Sequence, residues 1–250
     1  MGRRSQLILV VGGPEASASM VRAVLFDLFE TLITESRTLP AGASSLGPEL
    51  GCEREAFRAQ WRACRPDVVV GRLSLRQALA QSATRLGRQP EESILQRVCQ
   101  DRIRAKAAPF EQIEAEVLAV VGHLRSRGLR LGVVSNCFAE DVLTWPQCSL
   151  APHFACTVFS FEVGLAKPDP EIYLEATHRL GVDTADTWFI GDGMHEELSG
   201  AERAGLRAFR ALWFLRRWPN FREEPCSAAS VASVEDVLSL LEQATGPPNN

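Results

Sequence analysis

The sequence predicts an α/β fold: a Rossmann-like parallel sheet with helices on both faces and a small helical cap inserted after the first strand. Three observations predict it. The runs Val24–Phe26, Leu131–Val134 and Thr187–Ile190 are apolar on consecutive positions, as strands buried on both faces are. From Ile113 onward such runs alternate with stretches of helical periodicity, the signature of parallel strands joined by helical crossovers. Between the first strand and Ile113 the periodicity is helical only.

Taken in order, residues 1–19 read as a poorly ordered leader. Arg3-Arg4, Leu7–Val11 and Ala16-Ser17-Ala18 imitate an export signal, but the apolar segment is shorter than the usual ~7–15 residues. The core is expected over 20–35 and 108–246, and the helical insert over 36–107. In the insert, Leu50, Phe57, Trp61 and Cys64 share one helical face, and Leu75, Leu79, Ala83 and Leu86 another. Pro90-Glu91-Glu92 opens a third helix carrying Ile94, Leu95 and Val98. Beyond it, Ile113, Val117, Val120 and Leu124 form a helix face that Gly128 closes. Val158 to Phe161 reads as a further strand, Asp169-Pro170-Glu171 as a helix start, and Arg207–Ala211 as a weaker strand. Ser233 to Asp236 resembles a helix-starting box.

Composition narrows the function classes. With 27 basic and 31 acidic residues the net charge is −4, no field for nucleic acid. Arg216-Arg217, beside Trp213 and Trp218, reads as a solvated surface patch, with the two tryptophans either an interface or packed on the core. Seven cysteines without a Cys-x-x-Cys pair argue against a disulfide framework or a zinc site and fit a reducing, cytoplasmic setting. No apolar run approaches the ~20 residues of a membrane span. The expected partner is a small-molecule substrate, with no nucleic acid and no membrane; oligomeric state is left open.

Two strands deliver a carboxylate to their own tips: Val24-Leu25-Phe26 leads into Asp27, and Thr187–Gly191 into Asp192. Two acids at strand ends point to a cation, a nucleophile, or both. Ser135-Asn136 follows another strand and offers a hydroxyl and amide groups to an anionic oxygen, and Lys167 stands before a capped helix. Taken singly, each has a plainer explanation as turn, cap or surface residue. Cys137 has no basic partner to activate it and reads as filler, and His195 as incidental.

The ordered set Asp27, Ser135, Lys167 and Asp192 resembles the haloacid dehalogenase-like hydrolase superfamily, from about Arg22 to the C-terminal helix. The resemblance implies Asp27 as nucleophile forming a covalent aspartyl intermediate, and Lys167 as the group that neutralises charge. It implies Ser135, Asn136 and Thr31 as phosphate-binding residues. Mg²⁺ would be held by Asp27, the Phe29 backbone carbonyl, Asp192 and Glu197, with Glu196 as the fallback. The helical insert would be a lid carrying substrate recognition.

One departure bears on the reaction. Where most phosphatases of this superfamily carry a second aspartate as general acid and base, this chain has Phe29. Positioned acid–base groups contribute ~10²–10⁴ in rate, so the loss is serious without being fatal. The neighbouring Glu30, where members of the superfamily commonly have glycine, is the candidate for a partial substitute. The expectation is an Mg²⁺-dependent phosphatase on a small phosphorylated metabolite. The first alternative is a 2-haloacid dehalogenase, whose members look similar at Phe29 and need a halide-binding arginine, with Arg54, Arg58 and Arg62 as candidates. The second is a catalytically weakened binding or regulatory relative.

Overall fold

The computed structural model describes residues 20–36 and 46–245. The reading of 1–19 as a leader lies outside the described residues, as does most of the Pro40–Pro48 stretch. Strands β1 (Ala23–Phe26), β2 (Arg130–Ser135), β3 (Cys156–Phe159), β4 (Thr187–Gly191), β5 (Arg207–Ala211) and β6 (Ala229–Val231) form one sheet in the order β3-β2-β1-β4-β5-β6. All five pairings are parallel. Side chains alternate across the sheet. Val24 and Phe26 enter one apolar cluster with Val120, Leu124 and Leu241, while Ala23 and Leu25 enter another with Tyr173, Ala176 and Leu198. Helices α4 (Ala115–Ser126) and α8 (Asp236–Thr245) supply the first face, α6 (Pro170–Leu180) and α7 (Glu197–Arg203) the second.

The helix starts follow their local chemistry. Asp169 caps α6 by accepting from the Glu171 backbone N–H, with Pro170 in the first turn. Ser233 and Asp236 bond reciprocally at the start of α8, at 2.9 and 3.3 Å.

Helices α1 (Arg54–Val69), α2 (Leu75–Thr84) and α3 (Glu92–Glu111) build a separate core from Phe57, Trp61, Leu75, Leu79 and Val98. The expected end of this unit at residue 107 does not coincide with a structural break. Helix α3 continues to Glu111 with Pro109 inside its last turn, because Phe110 is buried in the cluster of the main sheet and ties that turn to it. Two further differences are local. The strand expected through Phe161 ends at Phe159, and Ser160–Val163 forms a one-turn helix, α5. The Ser160 hydroxyl accounts for the turn: it donates to the Val69 carbonyl (2.7 Å), with the Cys137 carbonyl at 3.2 Å as the alternative acceptor, and accepts from the Cys137 N–H (3.1 Å), so a buried polar group is satisfied there. Strand β6 had no counterpart in the pattern; it is three residues long with one buried position.

Candidate active site

The register of β1 determines where the acids emerge. Phe26 lies beside Val133 on one side and Ile190 on the other, and the Asp27 N–H extends the ladder to the Ile190 carbonyl at 2.8 Å. Asp27, Ser135 and Asp192 therefore leave the sheet at the same C-terminal edge. They do so where the strand order reverses between β1 and β4, the crevice in which open α/β sheets bind ligands.

Glu197, from the first turn of α7, completes the group. One carboxylate oxygen from each of Asp27, Asp192 and Glu197 lies within 4.8 Å of the others, and all three residues are buried. Lys167 Nζ sits between two of them, 2.5 Å from Asp27 Oδ1 and 2.5 Å from Glu197 Oε2. The close approach depends on two glycines. A Cβ on Gly191 would stand 2.2 Å from Glu197 Oε1, and one on Gly200 would stand 2.5 Å from the Pro168 carbonyl oxygen. Only glycine lets α7 press against both the β4 tip and the Lys167-Pro168 turn.

Electrostatics follow from burial. Burial raises the Asp27 carboxyl to about 7, with Lys167 pulling it down and Glu197 pushing it up. Burial, then Glu197 and Asp27, raises Asp192 to about 9. Burial alone would lower the Lys167 ammonium, but Asp27 and Glu197 hold it well above the ordinary lysine value. Three crowded carboxylates and one ammonium leave an excess of negative charge that protons partly relieve.

The remaining expected residues divide. Ser135 is among the residues that line the cavity, and its buried Oγ has no hydrogen-bond partner. Asn136 also lines it, but its amide grips Lys167: Nδ2 donates to the Lys167 carbonyl and Oδ1 accepts the Lys167 N–H, both at 2.8 Å. Its observed contacts thus position the lysine, where direct phosphate binding was expected. Thr31 is fully buried, its hydroxyl has no partner, and it does not line the cavity. Glu30 is turned away as well, its carboxylate accepting from Trp218 Nε1 (2.8 Å), Thr34 Oγ1 (2.8 Å) and the Glu35 N–H (2.7 Å). It has a structural role and no place among the cavity walls. Those bonds also answer the question of the tryptophans: Trp218 anchors Glu30, and buried Trp213 donates to the Thr31 carbonyl at 2.9 Å. Glu196 points elsewhere than the acid group, which takes Glu197. Burial lifts the Cys137 thiol well above its usual value, so it is held as an unreactive thiol.

The cavity above these groups measures about 390 Å³. Its far wall comes from the helical unit and was not foreseen. Arg65 on α1, with Arg102 and Lys106 on α3, line it; Arg54, Arg58 and Arg62 do not. A basic pair four residues apart on one helix was the available signal. Arg102 pairs with Asp141 at 2.8 Å and lies 5.1 Å from the Phe138 ring centre. Lys106 pairs with Glu35 at 2.5 Å and lies 4.8 Å from the Phe29 ring centre. Phe29 itself lines the cavity and meets Phe110 edge-on. His195 is also in the wall, on a left-handed backbone (φ 55°), and burial with nearby Arg65 pushes its imidazole down.

Known proteins resemble the chain in sequence and in fold. The family model of haloacid dehalogenase-like hydrolases matches residues 21–205, and the chain belongs to that family. It is thus a hydrolase by family. A glyceraldehyde 3-phosphate phosphatase of Methanopyrus kandleri is 36% identical over 98 residues, covering 38% of this chain and 41% of that protein. A phosphoserine phosphatase of Thermus thermophilus is 33% identical over 37% of this chain and 38% of its own length. The haloacid dehalogenase-like hydrolase domain-containing protein 3 of Mus musculus is 33% identical over half of each chain. The chain thus spans half or less of these curated relatives. Among solved structures, a 2-haloacid dehalogenase from Pseudomonas syringae pv. Tomato superposes with a TM-score of 0.64 at 24% identity, covering 90% of this chain and 99% of that one. A HAD phosphatase from Thermococcus onnurineus gives 0.60 at 19%, covering 88% and 98%. At those identities the likeness is one of fold.

Proposed function

We propose that the chain is a magnesium-dependent phosphatase that acts on a small phosphorylated metabolite through a covalent intermediate on Asp27. The observation that carries the reading is the charge at the strand tips: three buried carboxylates share one ammonium, and their oxygens lie within 4.8 Å. Hard oxygen donors gathered in that number suit a divalent cation, and the unpartnered Ser135 hydroxyl suits an oxyanion beside it. The phosphatase names of two relatives favour the same chemistry.

In this reading an Asp27 carboxylate oxygen bonds to phosphorus as the ester P–O bond breaks and the alcohol oxygen leaves with the bonding pair. Water then attacks the aspartyl phosphate, releasing inorganic phosphate and restoring the carboxylate, while its proton passes to solvent. Lys167, fixed by Asn136, offsets charge on Asp27 and on the transferring group, and Ser135 donates to a phosphoryl oxygen. Mg²⁺, held by Asp27, Asp192, Glu197 and the Phe29 carbonyl, would supply further neutralisation of the phosphoryl oxygens. Phe29 has no proton for the departing oxygen, so esters of acidic alcohols are the faster substrates. The helical unit acts as a cap that limits water in the cavity. Placement in the cytoplasm belongs to the same reading, in keeping with seven unpaired cysteines. No helix among the described residues is long and apolar enough to cross a membrane.

A second reading, 2-haloacid dehalogenase, draws on the Phe29 ring in the cavity wall, an apolar surface for an alkyl substrate. The assay that separates them uses p-nitrophenyl phosphate and L-2-chloropropionate, each with Mg²⁺ and with chelator, on the native chain and Asp27→Asn. The proposal expects Mg²⁺-dependent phosphate release that falls at least ~10³-fold in the variant, as loss of a nucleophile does. Chloride release that survives the chelator would establish the dehalogenase. Absence of Asp27-dependent turnover on either substrate would leave a binding or regulatory relative.

A further inference from the structure

We propose that the helical wall of the cavity is a subsite for a second, singly charged anion, so that the substrate is a small phosphate ester with a carboxylate at its far end. The inference rests on the phosphatase reading for the near end of that substrate and on the far wall alone for the rest.

That wall carries three permanent cations, Arg65, Arg102 and Lys106, and two acids, Asp141 and Glu35. Both acids are engaged with the cations of α3. Among the described residues the balance is one positive charge, and it is not spread evenly. Arg65 makes no hydrogen bond or ion pair among the described residues and is exposed at the cavity. The Arg102 side chain is only 10% exposed, yet its Nε is buried without a partner. Arg65 is therefore the guanidinium free to meet an anion in the cavity, while Arg102, held by Asp141, adds its charge to the same wall.

The surroundings fix the group in place. Arg102 lies against the Phe138 ring, which meets Trp61 edge-on at 5.9 Å, and Trp61 stands one helical turn before Arg65. The two arginines are therefore carried on a packed aromatic pair. A net charge of one favours a carboxylate over a phosphate dianion. A cavity of about 390 Å³, near the lower end of the usual ~300–1,000 Å³ for ligand sites, suits a compact ligand.

The test is calorimetric and needs no turnover: binding of 3-phosphonopropionate, its primary amide, and propane-1,3-bisphosphonate to the full chain with Mg²⁺. The carboxylate compound should bind ~10- to 100-fold more tightly than the amide, the range for a hydrogen-bonded charge. Arg65→Gln should collapse that ratio toward one, while Arg62→Gln, outside the cavity on the same helix, should preserve it. Equal binding of carboxylate and amide, preference for the bisphosphonate, or no binding of any phosphonate overturns the subsite. Turnover of p-nitrophenyl phosphate without carboxylate preference would overturn this inference alone. Carboxylate-selective binding lost in Arg65→Gln, without any phosphate release, would support the subsite and reject the phosphatase.

Discussion

The two ends of the cavity handle charge in different ways. At the strand tips three carboxylates crowd a single ammonium, and burial drives protons onto Asp27 and Asp192. At the helical wall each acid has its own cation at 2.5–2.8 Å, leaving one arginine over. The first arrangement is unbalanced without a cation and is built from strand ends that the sheet register holds. The second is nearly balanced, its cations on the inserted helices α1 and α3 and its acids, Glu35 and Asp141, on segments that follow β1 and β2. In the proposed reading, chemistry and selectivity fall to different supports: reactive groups on the sheet edge, recognition cations on an inserted unit that sequence change can alter without disturbing the sheet.

The difference predicts unequal responses to disruption. Lys167→Met should have the largest effect, removing the one cation among three buried acids. Breaking a buried pair costs about 3–5 kcal/mol, to be read from urea midpoints at pH 8. The loss should shrink as pH falls and the acids take up protons. Asp141→Asn breaks the helical pair more gently, because Arg102 keeps its contact with Phe138 and the amide keeps an acceptor. About 1–3 kcal/mol is expected, in the range of a lost charged hydrogen bond. A loss equal to that of Lys167→Met would break the contrast between the two ends.

Mg²⁺ should give the smallest change, and its sign follows from the raised carboxyls. Asp27 and Asp192 hold protons in the folded chain up to about 7 and 9, against an ordinary 3.8. The folded state thus binds more protons than the unfolded one, and metal-free stability falls as pH rises through that window. A cation must displace those protons, so its binding tightens with pH. At ten times its dissociation constant it adds about 1.4 kcal/mol. The thermal shift produced by a fixed Mg²⁺ concentration should therefore be larger at pH 8 than at pH 6. An equal shift at both would place the metal away from these carboxylates.

Much of the sheet and of its acidic edge was legible in the chain because short-range rules govern them. Consecutive apolar residues at Val24–Phe26 and Thr187–Ile190 mark buried strands whatever surrounds them, and the residue after each strand must emerge at its tip. Asp27 and Asp192 could be picked out for that reason. Glu197, by contrast, follows from the resemblance to the superfamily. The close approach at Gly200 shows the physical basis, since α7 meets the Lys167-Pro168 turn there. The misplaced features depend on side-chain direction, which periodicity does not carry. Glu30 and Thr31 stand close to Asp27 in sequence yet turn to Trp218 and into the interior. Arg54, Arg58 and Arg62 sit on the same helix as Arg65, and only the packing of Trp61 selects which arginine faces the cavity.

The sequence by itself determined the α/β class, the helical insert and which residue types stand at the strand tips, since hydrophobic period and strand polarity are local properties. Tertiary structure decided which of those residues share a cavity, that Asn136 holds the lysine, and that a second set of cations faces the acids from across it. Those outcomes depend on register and on helix packing between segments far apart in the chain: Asp27 and Lys167 are separated by 140 residues, and Trp218 and Glu30 by 188. No local pattern encodes a distance of that kind.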